Sequence, residues 1–372
     1  MPSAVDWRKR AGRLLTVSLS DLNPFKRDEQ YVSVDIGSSM IKLVEVRAGA
    51  GKLQVTAAAT MPVPSSAIQS NMVNDPGVVA EVLRTMIESH GVRGHKAVTA
   101  VPGPAVIIKR VTLPVQSSQE LENTILFEAG NFIPEDLENV NLDYQIVDYL
   151  EDGKRMDVLL VAAKRDIVNS YAEAVRAAGL VPVVVDVDYF ALENMFELNY
   201  DPTPDQVIAL VNVGARYSSI NILKNGQSTF TGDVPVGGRD ITDALVRDLG
   251  VEADVAERLK AGESVADVDP EQVAAAMGPA ADTLIEEIHH ALSFFWTAAT
   301  DETINEVYLS GGAARMPDLG ERLSQRIEVP VAVANPLARA ALAPGLDAAR
   351  LREQAPAFAV AMGLAVRRPD DK

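Results

Sequence analysis

One strand–turn–strand signature is written twice in this chain, and the repetition narrows the folds open to it. Val34-Asp35-Ile36-Gly37-Ser38-Ser39 opens the first copy and Val211-Asn212-Val213-Gly214-Ala215-Arg216 opens the second, 177 positions later. A later glycine keeps the same offset, Gly49 in one copy and Gly226 in the other. Each copy alternates apolar and polar residues, turns at glycine, alternates again and turns again, as a β-hairpin does. Two copies this far apart predict a duplicated α/β fold with a cleft between its halves. The two turns then face each other, and their backbone N–H groups and hydroxyls suit a phosphate.

Composition removes several alternatives. A chain of 372 residues is long enough for two sizeable cores. Its 34 basic and 52 acidic residues give a net charge of −18, which argues against a nucleic-acid surface but leaves room for a local basic pocket. Cysteine is absent, so disulfide and thiolate chemistry are excluded. His90, His95, His289 and His290 lack metal-ligand spacing. No run of 18 apolar residues predicts a membrane span, and residues 1–30 lack the apolar core of a signal peptide. The first 28 residues differ in character. Six cations (Arg8, Lys9, Arg10, Arg13, Lys26, Arg27) outweigh Asp6, Asp21 and Asp28, with Trp7, Leu14, Leu15 and Leu19 interspersed. They read as a flexible lead-in; the alternative is an amphipathic segment that touches a membrane surface or partner.

The periodicities order the rest. Strands are expected over 31–36, 41–47 and 53–60, and a helix over 77–90 with Asp75 as N-cap and Pro76 at its first position. Residues 105–183 fit no hairpin repeat and read as an inserted α/β unit. It comprises strands at 106–113, 142–150, 155–162 and 181–186, and helices at 119–132 and 165–178. A connecting helix is expected over 188–199, hairpins over 206–235, a helical region over 238–300, a strand at 307–309, and helices near 319–327 and 355–366. Leu284, Ile288, Leu292 and Phe295 recur at helical spacing and read as core.

Four glycine turns carry the candidate chemistry. Asp35 stands one residue before the first turn and can hold a hydrated Mg²⁺ through water. Gly37 permits close backbone approach, Ser38 and Ser39 add hydroxyls, and Lys42 adds a charge. Asn212, Gly214 and Ala215 form the second turn, with Arg216 placed to offset phosphate charge. Pro235-Val236-Gly237-Gly238 precedes a helix whose free N–H groups suit an anion. Ser310-Gly311-Gly312-Ala313 offers a flat backbone surface for a base and ribose.

These segments resemble the two phosphate loops and the adenosine loop of the actin, Hsp70 and sugar-kinase superfamily. Ala256-Glu257-Arg258-Leu259-Lys260 resembles that superfamily's adenosine-contacting element. The insertion resembles the FtsA-like branch. Phe127-Glu128-Ala129-Gly130-Asn131-Phe132-Ile133-Pro134, Val140-Asn141-Leu142-Asp143-Tyr144, Val185-Asp186-Val187-Asp188 and Ala191-Leu192-Glu193-Asn194 resemble the PilM family of the type IV pilus machine.

The resemblance implies an actin-like fold: two lobes around a nucleotide cleft, with an FtsA-type inserted subdomain. The first lobe comprises 30–104 and 184–200, the insertion 105–183, the second lobe 201–236 and 301–372, and its helical subdomain 237–300, after an extension at 1–29. It implies ATP and Mg²⁺ as ligands and the cytoplasmic N-terminal peptide of PilN as partner, with other pilus components and self-association in prospect. The protein would then be cytoplasmic, reaching the inner membrane only through partners. Asn212 departs from the aspartate usual in the second phosphate loop, so slow or absent hydrolysis is expected. Glu193 is the candidate to orient an attacking water. An FtsA-like filament protein and a small-molecule kinase are the alternative functions.

Overall fold

The computed structural model describes residues 30–49, 52–134, 136–201, 203–298, 302–369 and 371. The reading of residues 1–28 falls outside them.

The chain opens with a meander of β1 (Tyr31–Ile36), β2 (Met40–Gly49) and β3 (Lys52–Pro62). A short ribbon, β4 (Ile68–Gln69) and β5 (Met72–Val73), precedes α1 (Pro76–Ser89) and β6 (Lys96–Val101). Asp75 caps α1 as expected, accepting a hydrogen bond from the Val78 N–H at 3.1 Å. The insertion contributes β7 (Val106–Pro114), α2 (Ser118–Phe132), β8 (Val140–Leu150) and β9 (Arg155–Lys164). Ser117 and Glu120 close a capping box at the start of α2. Then come α3 (Arg165–Ala177), β10 (Val181–Val187) and α4 (Asp188–Asn199).

The second half repeats the meander in β11 (Val207–Val213), β12 (Ser218–Lys224) and β13 (Gln227–Val234). It continues through α5 (Gly238–Leu249), α6 (Ala253–Lys260), α7 (Pro270–Ala298) and β14 (Glu306–Ser310). The chain ends with α8 (Leu319–Ile327), β15 (Val331–Val333), β16 (Ala341–Leu342), α9 (Ala348–Glu353) and α10 (Ala359–Ala365).

Sheet topology carries the duplication that the sequence repeat predicts. The first sheet runs β10-β6-β1-β2-β3-β16, and the second, from its matching edge, β15-β14-β11-β12-β13. In each, an antiparallel meander gains two strands parallel to its first strand. The insertion forms its own antiparallel sheet, β7-β9-β8, with α2 packed on it through Leu121 and Ile125.

Strand alternation decides which residues face the centre. Val32, Val34 and Ile36 pack with α1 and α3 on the outer face of the first sheet. Val207, Ala209, Val211 and Val213 pack with α7 and α8 on the outer face of the second. Tyr31 of β1 and Ile208 and Leu210 of β11 share one core with α4 and α10, which lie between the sheets. Asp35 and Asn212, in step with those inner residues, therefore also point inward.

Two boundaries differ from the sequence reading. Residues α3 and β10, assigned to the insertion, pack in the first core, and β10 pairs with β6. Within 301–372, assigned to the second lobe, β16 pairs with β3, and α10 packs against α4, β1 and β2. A two-residue strand leaves almost no periodic signal. A helix buried all round, as α10 is, records that it is core but not whose core it joins. The expected helix over 355–366 is a 3₁₀ turn, Ala355–Phe358, followed by α10.

The two central helices touch at Gly363 and Ala191. A Cβ on Gly363 would lie 1.7 Å from the Ala191 carbonyl oxygen, so α10 would have to move away from α4. Gly363→Ala is expected to destabilise the protein by about 2–3 kcal/mol or more, read as a lower urea midpoint at unchanged slope. A wild-type midpoint would refute this close crossing.

Candidate functional site

Both repeated turns close with the same bond. The Gly37 N–H donates to Met40 O at 3.2 Å, and the Gly214 N–H donates to Tyr217 O at 3.1 Å. A Cβ at either glycine would fall 2.9 Å or 2.8 Å from that acceptor oxygen, so the tightness of the turn selects glycine in both halves. The turn residues Ser38, Ser39, Ala215 and Arg216 line one cavity together with Asp35, Gly37, Lys42, Asn212 and Gly214. Gly311 and Gly312 of the third turn line it too. Gly311 has φ +91°, and a Cβ there would be 2.3 Å from Val213 O and 2.9 Å from Asn212 Oδ1. Glycine is thus required where β14 ends against β11.

The copies match in backbone and differ in charge. In the first, Asp35 pairs in register with Lys42, and their side chains form a 3.1 Å ion pair. The equivalent pair in the second is Asn212 and Ser219. Ser310 Oγ donates to Asn212 Oδ1 at 3.3 Å, and Ser219 Oγ is buried without a partner. The ion pair beside the first turn therefore has a neutral counterpart beside the second.

The Gly237–Gly238 turn corrects one expectation. Its N–H groups are already taken: Gly237 donates to Asp240 Oδ2 at 2.9 Å. The Gly238 and Arg239 N–H groups each donate at 2.8 Å, to Gly214 O and Ala215 O. The helix start braces the second turn from behind instead of presenting free donors to an anion. Lys260 and Glu257 belong to the same brace. Lys260 Nζ donates to Gly238 O at 3.0 Å, to Thr242 Oγ1 at 2.8 Å and to Glu257 Oε1 at 2.8 Å. Burial lowers the Lys260 pKa, and the Glu257 carboxylate opposes that. A Cβ on Gly238 would meet Ala313 Cβ at 2.9 Å, so Ala313 closes this side. Gly237, Gly238, Glu257, Lys260 and Ala313 do not line the cavity.

Glu193, chosen as the water-orienting carboxylate, also lies outside the lining. The carboxylate that α4 brings to the cavity is Asp188, at its first turn. Asp188 Oδ2 accepts from the Tyr217 hydroxyl at 2.9 Å, and Oδ1 is buried with no partner. Burial pushes its pKa up to about 8; the Tyr217 bond pulls the other way, and Asp233 and Asp35 add to the rise. Burial likewise raises the Tyr171 and Tyr217 hydroxyls, Tyr171 also lining the cavity. A signal for Asp188 existed, since an acid where a parallel strand ends and a helix begins stands where α/β sheets bind ligands. A first-turn helix acid, however, reads equally well as a dipole partner.

Among the described residues no group of three or more His, Asp or Glu side chains is placed to hold a metal. The set present, one accessible carboxylate beside turns suited to phosphate, fits Mg²⁺ held largely by phosphate and water. No helix among the described residues is long and apolar enough to cross a membrane.

Two duplicated sheets facing each other across two central helices, with matched glycine turns opposed over a cleft, define an actin-like fold. Residues 33–369 match the family described as type IV pilus assembly protein PilM, and the chain belongs to that family. It is similar to a solved PilM-PilN type IV pilus biogenesis complex, with TM-score 0.79, 29% identity, and 91% of this chain and 98% of that chain covered. A fold likeness extends to the ethanolamine utilization protein EutJ from Carboxydothermus hydrogenoformans, with TM-score 0.54, 16% identity, and 91% and 89% covered. Cell division protein FtsA of Bacillus subtilis (strain 168) is 22% identical over 260 residues. That match takes in 63% of this chain and 58% of FtsA, under two thirds of its length.

The raised Asp188 pKa gives a signed pH dependence. Between about pH 4 and the folded pKa of about 8, the folded state holds a proton that the unfolded chain has lost. Folding stability from this group therefore falls as the pH rises through that window. Asp188→Asn keeps an acceptor for Tyr217 and removes the titration. Its Tm is expected to exceed the wild-type value by about 2–4 °C at pH 8, with the gap closing towards about pH 4. A gap independent of pH in calorimetric scans would contradict the assignment.

Proposed function

We propose that this chain is an ATP-binding actin-like component of the type IV pilus assembly machine. It binds ATP with Mg²⁺ between the two turns and docks the cytoplasmic N-terminal peptide of PilN. The observation that carries the nucleotide half is the opposed pair of turns, closed by identical bonds and meeting in one cavity. The partner half draws support from family membership and from the likeness to a PilM in complex with PilN. On this reading the protein works in the cytoplasm and meets the inner membrane through its partners.

In the proposed site Asp35 would hold the ion through water, and Mg²⁺ would neutralise phosphate charge. The turns at Ser38–Ser39 and Ala215–Arg216 would cradle the phosphates, with Gly311 and Gly312 towards the adenosine and Ala313 packed behind them. Glu257 and Lys260 would support that side through Gly238. Hydrolysis would be slow for two reasons. Asn212 supplies hydrogen bonds without charge. Asp188, the other carboxylate of the lining, is held largely protonated at neutral pH and is a poor proton acceptor. A kinase would need a charged base in that place.

Titration calorimetry with Mg-ATP, alongside phosphate release, tests the reading. Wild type is expected to bind, Asp35→Ala to bind at least about tenfold more weakly, and phosphate release to stay below about 1 s⁻¹. A folded wild type that takes up no nucleotide would sink the nucleotide half. The partner half requires a labelled PilN N-terminal peptide to gain anisotropy on titration with this protein, and an unchanged signal would sink it.

A further inference from the structure

Two cations line the cavity, and they are held differently. Lys42 is engaged by Asp35. Arg216 is exposed at the cleft rim and crosses to the other half of the protein. Its Nη1 donates to Ile68 O at 3.0 Å and its Nη2 to Ser65 O at 2.9 Å. Both acceptors are neutral carbonyls, and no carboxylate among the described residues pairs with this guanidinium.

The segment it grips is a flap anchored on its own half. Its base is tied to the first phosphate-type turn, where the Val63 N–H donates to Ser39 O at 3.0 Å. Its tip is the β4–β5 ribbon, turned at Ser70 and Asn71 with φ 50° and 64°, and Ile68, Ser70 and Asn71 line the cavity. Its far end rests on α3, where the Val73 N–H donates to Ser170 Oγ at 3.2 Å. Helix α3 follows the last strand of the insertion without a break, and Arg165 in its first turn donates to Val140 O of β8 at 3.1 Å. Tyr171, next to Ser170, is a wall of the cavity.

We propose that Arg216 is a latch that reports occupancy of the cleft to the flap of residues 63–75, and through α3 to the inserted subdomain. The latch rests on the reading that the cleft takes the phosphates of a nucleotide. A phosphate beside Ala215 offers the guanidinium a charged, bidentate acceptor in place of two neutral carbonyls, and the charged bond is the stronger. Occupancy therefore draws Arg216 away, and the flap loses its only two bonds to the opposite half among those the described residues show. A lysine keeps the charge but lacks the planar fork that meets the two carbonyls from separate nitrogens.

Hydrogen exchange of the full chain, read over peptides covering 63–75 and 165–177, tests the latch in two arms. Without nucleotide, Arg216→Ala is expected to exchange about tenfold or more faster than wild type over 63–75, and Arg216→Lys to fall between. Saturating Mg-ATP is expected to speed exchange of the same peptide in wild type, with a smaller rise over 165–177, and to leave Arg216→Ala unchanged. Equal exchange of the three proteins without nucleotide would overturn the latch whether or not ATP binds. Slower exchange on adding Mg-ATP, alike in wild type and Arg216→Ala, would overturn the coupling. Calorimetry on the same samples separates these results from failure of the nucleotide reading, which appears as absent heat in a wild type whose apo arm still behaves as expected. Should Arg216→Ala fail to fold, the comparison of Arg216→Lys with wild type decides both arms.

Discussion

The contact on which the rest of this structure depends is the crossing of α4 and α10 between the two sheets. At Gly363 the helices approach so closely that not even a methyl group fits against Ala191. Their side chains fill one core with residues of both sheets, among them Val44 and Val98 of the first and Ile208 and Leu210 of the second. Close packing of this kind transmits displacement instead of absorbing it. The separation of the halves, and with it the distance between the two glycine turns, follows from where this pair of helices sits. Asp188, at the first turn of α4, ties the same contact to the chemistry of the cavity.

Duplication supplied two equivalent turns, and the sequence then made them unequal. The backbone bonds that close them differ by 0.1 Å in length, 3.2 against 3.1 Å, yet Asp35 and Lys42 are matched by Asn212 and Ser219. The position of the ion pair is neutral in both members in the second copy, whereas removing one member alone would strand the other. Asp35 therefore has no carboxylate counterpart at Asn212, and the two turns do not assemble paired carboxylates. The braces behind the second turn point the same way. Gly237, Gly238 and Lys260 spend their hydrogen bonds on fixing its backbone, which favours a rigid binding surface.

The legibility of these features in the sequence followed their physical signal. The turns were readable because an offset of 177 residues is kept by a strand, a glycine and a second strand. Asp35 and Lys42 were readable because they flank the first glycine turn at the end of an alternating strand. Asp188 was not, since its role comes from burial, which a helix-start acid does not announce; Glu193, the residue of the same helix that the sequence singled out, lies outside the lining. The free N–H groups foreseen at Gly237 and Gly238 were lost to Asp240 and to carbonyls of the second turn, contacts between segments far apart or hidden in a cap. The flap carries no periodicity because its only regular structure is two strands of two residues.

A cleft with one ion pair, a carboxyl kept neutral by burial and an arginine spent on carbonyls is poorly arranged for rapid turnover and well arranged for having two states. A ligand shifts such an equilibrium only through interactions that differ between the states. Here the difference is concrete: Arg216 holds either the flap or an anion, and its five N–H donors cannot serve both in full. The flap in turn rests on the helix that leaves the insertion, whose exposed Phe127 and Tyr149 give that subdomain apolar surface away from the cleft. The physical logic of the fold thus runs from a charge asymmetry between two copied turns, through one side chain that reaches from the second turn to the flap, to the subdomain whose helix the flap rests on.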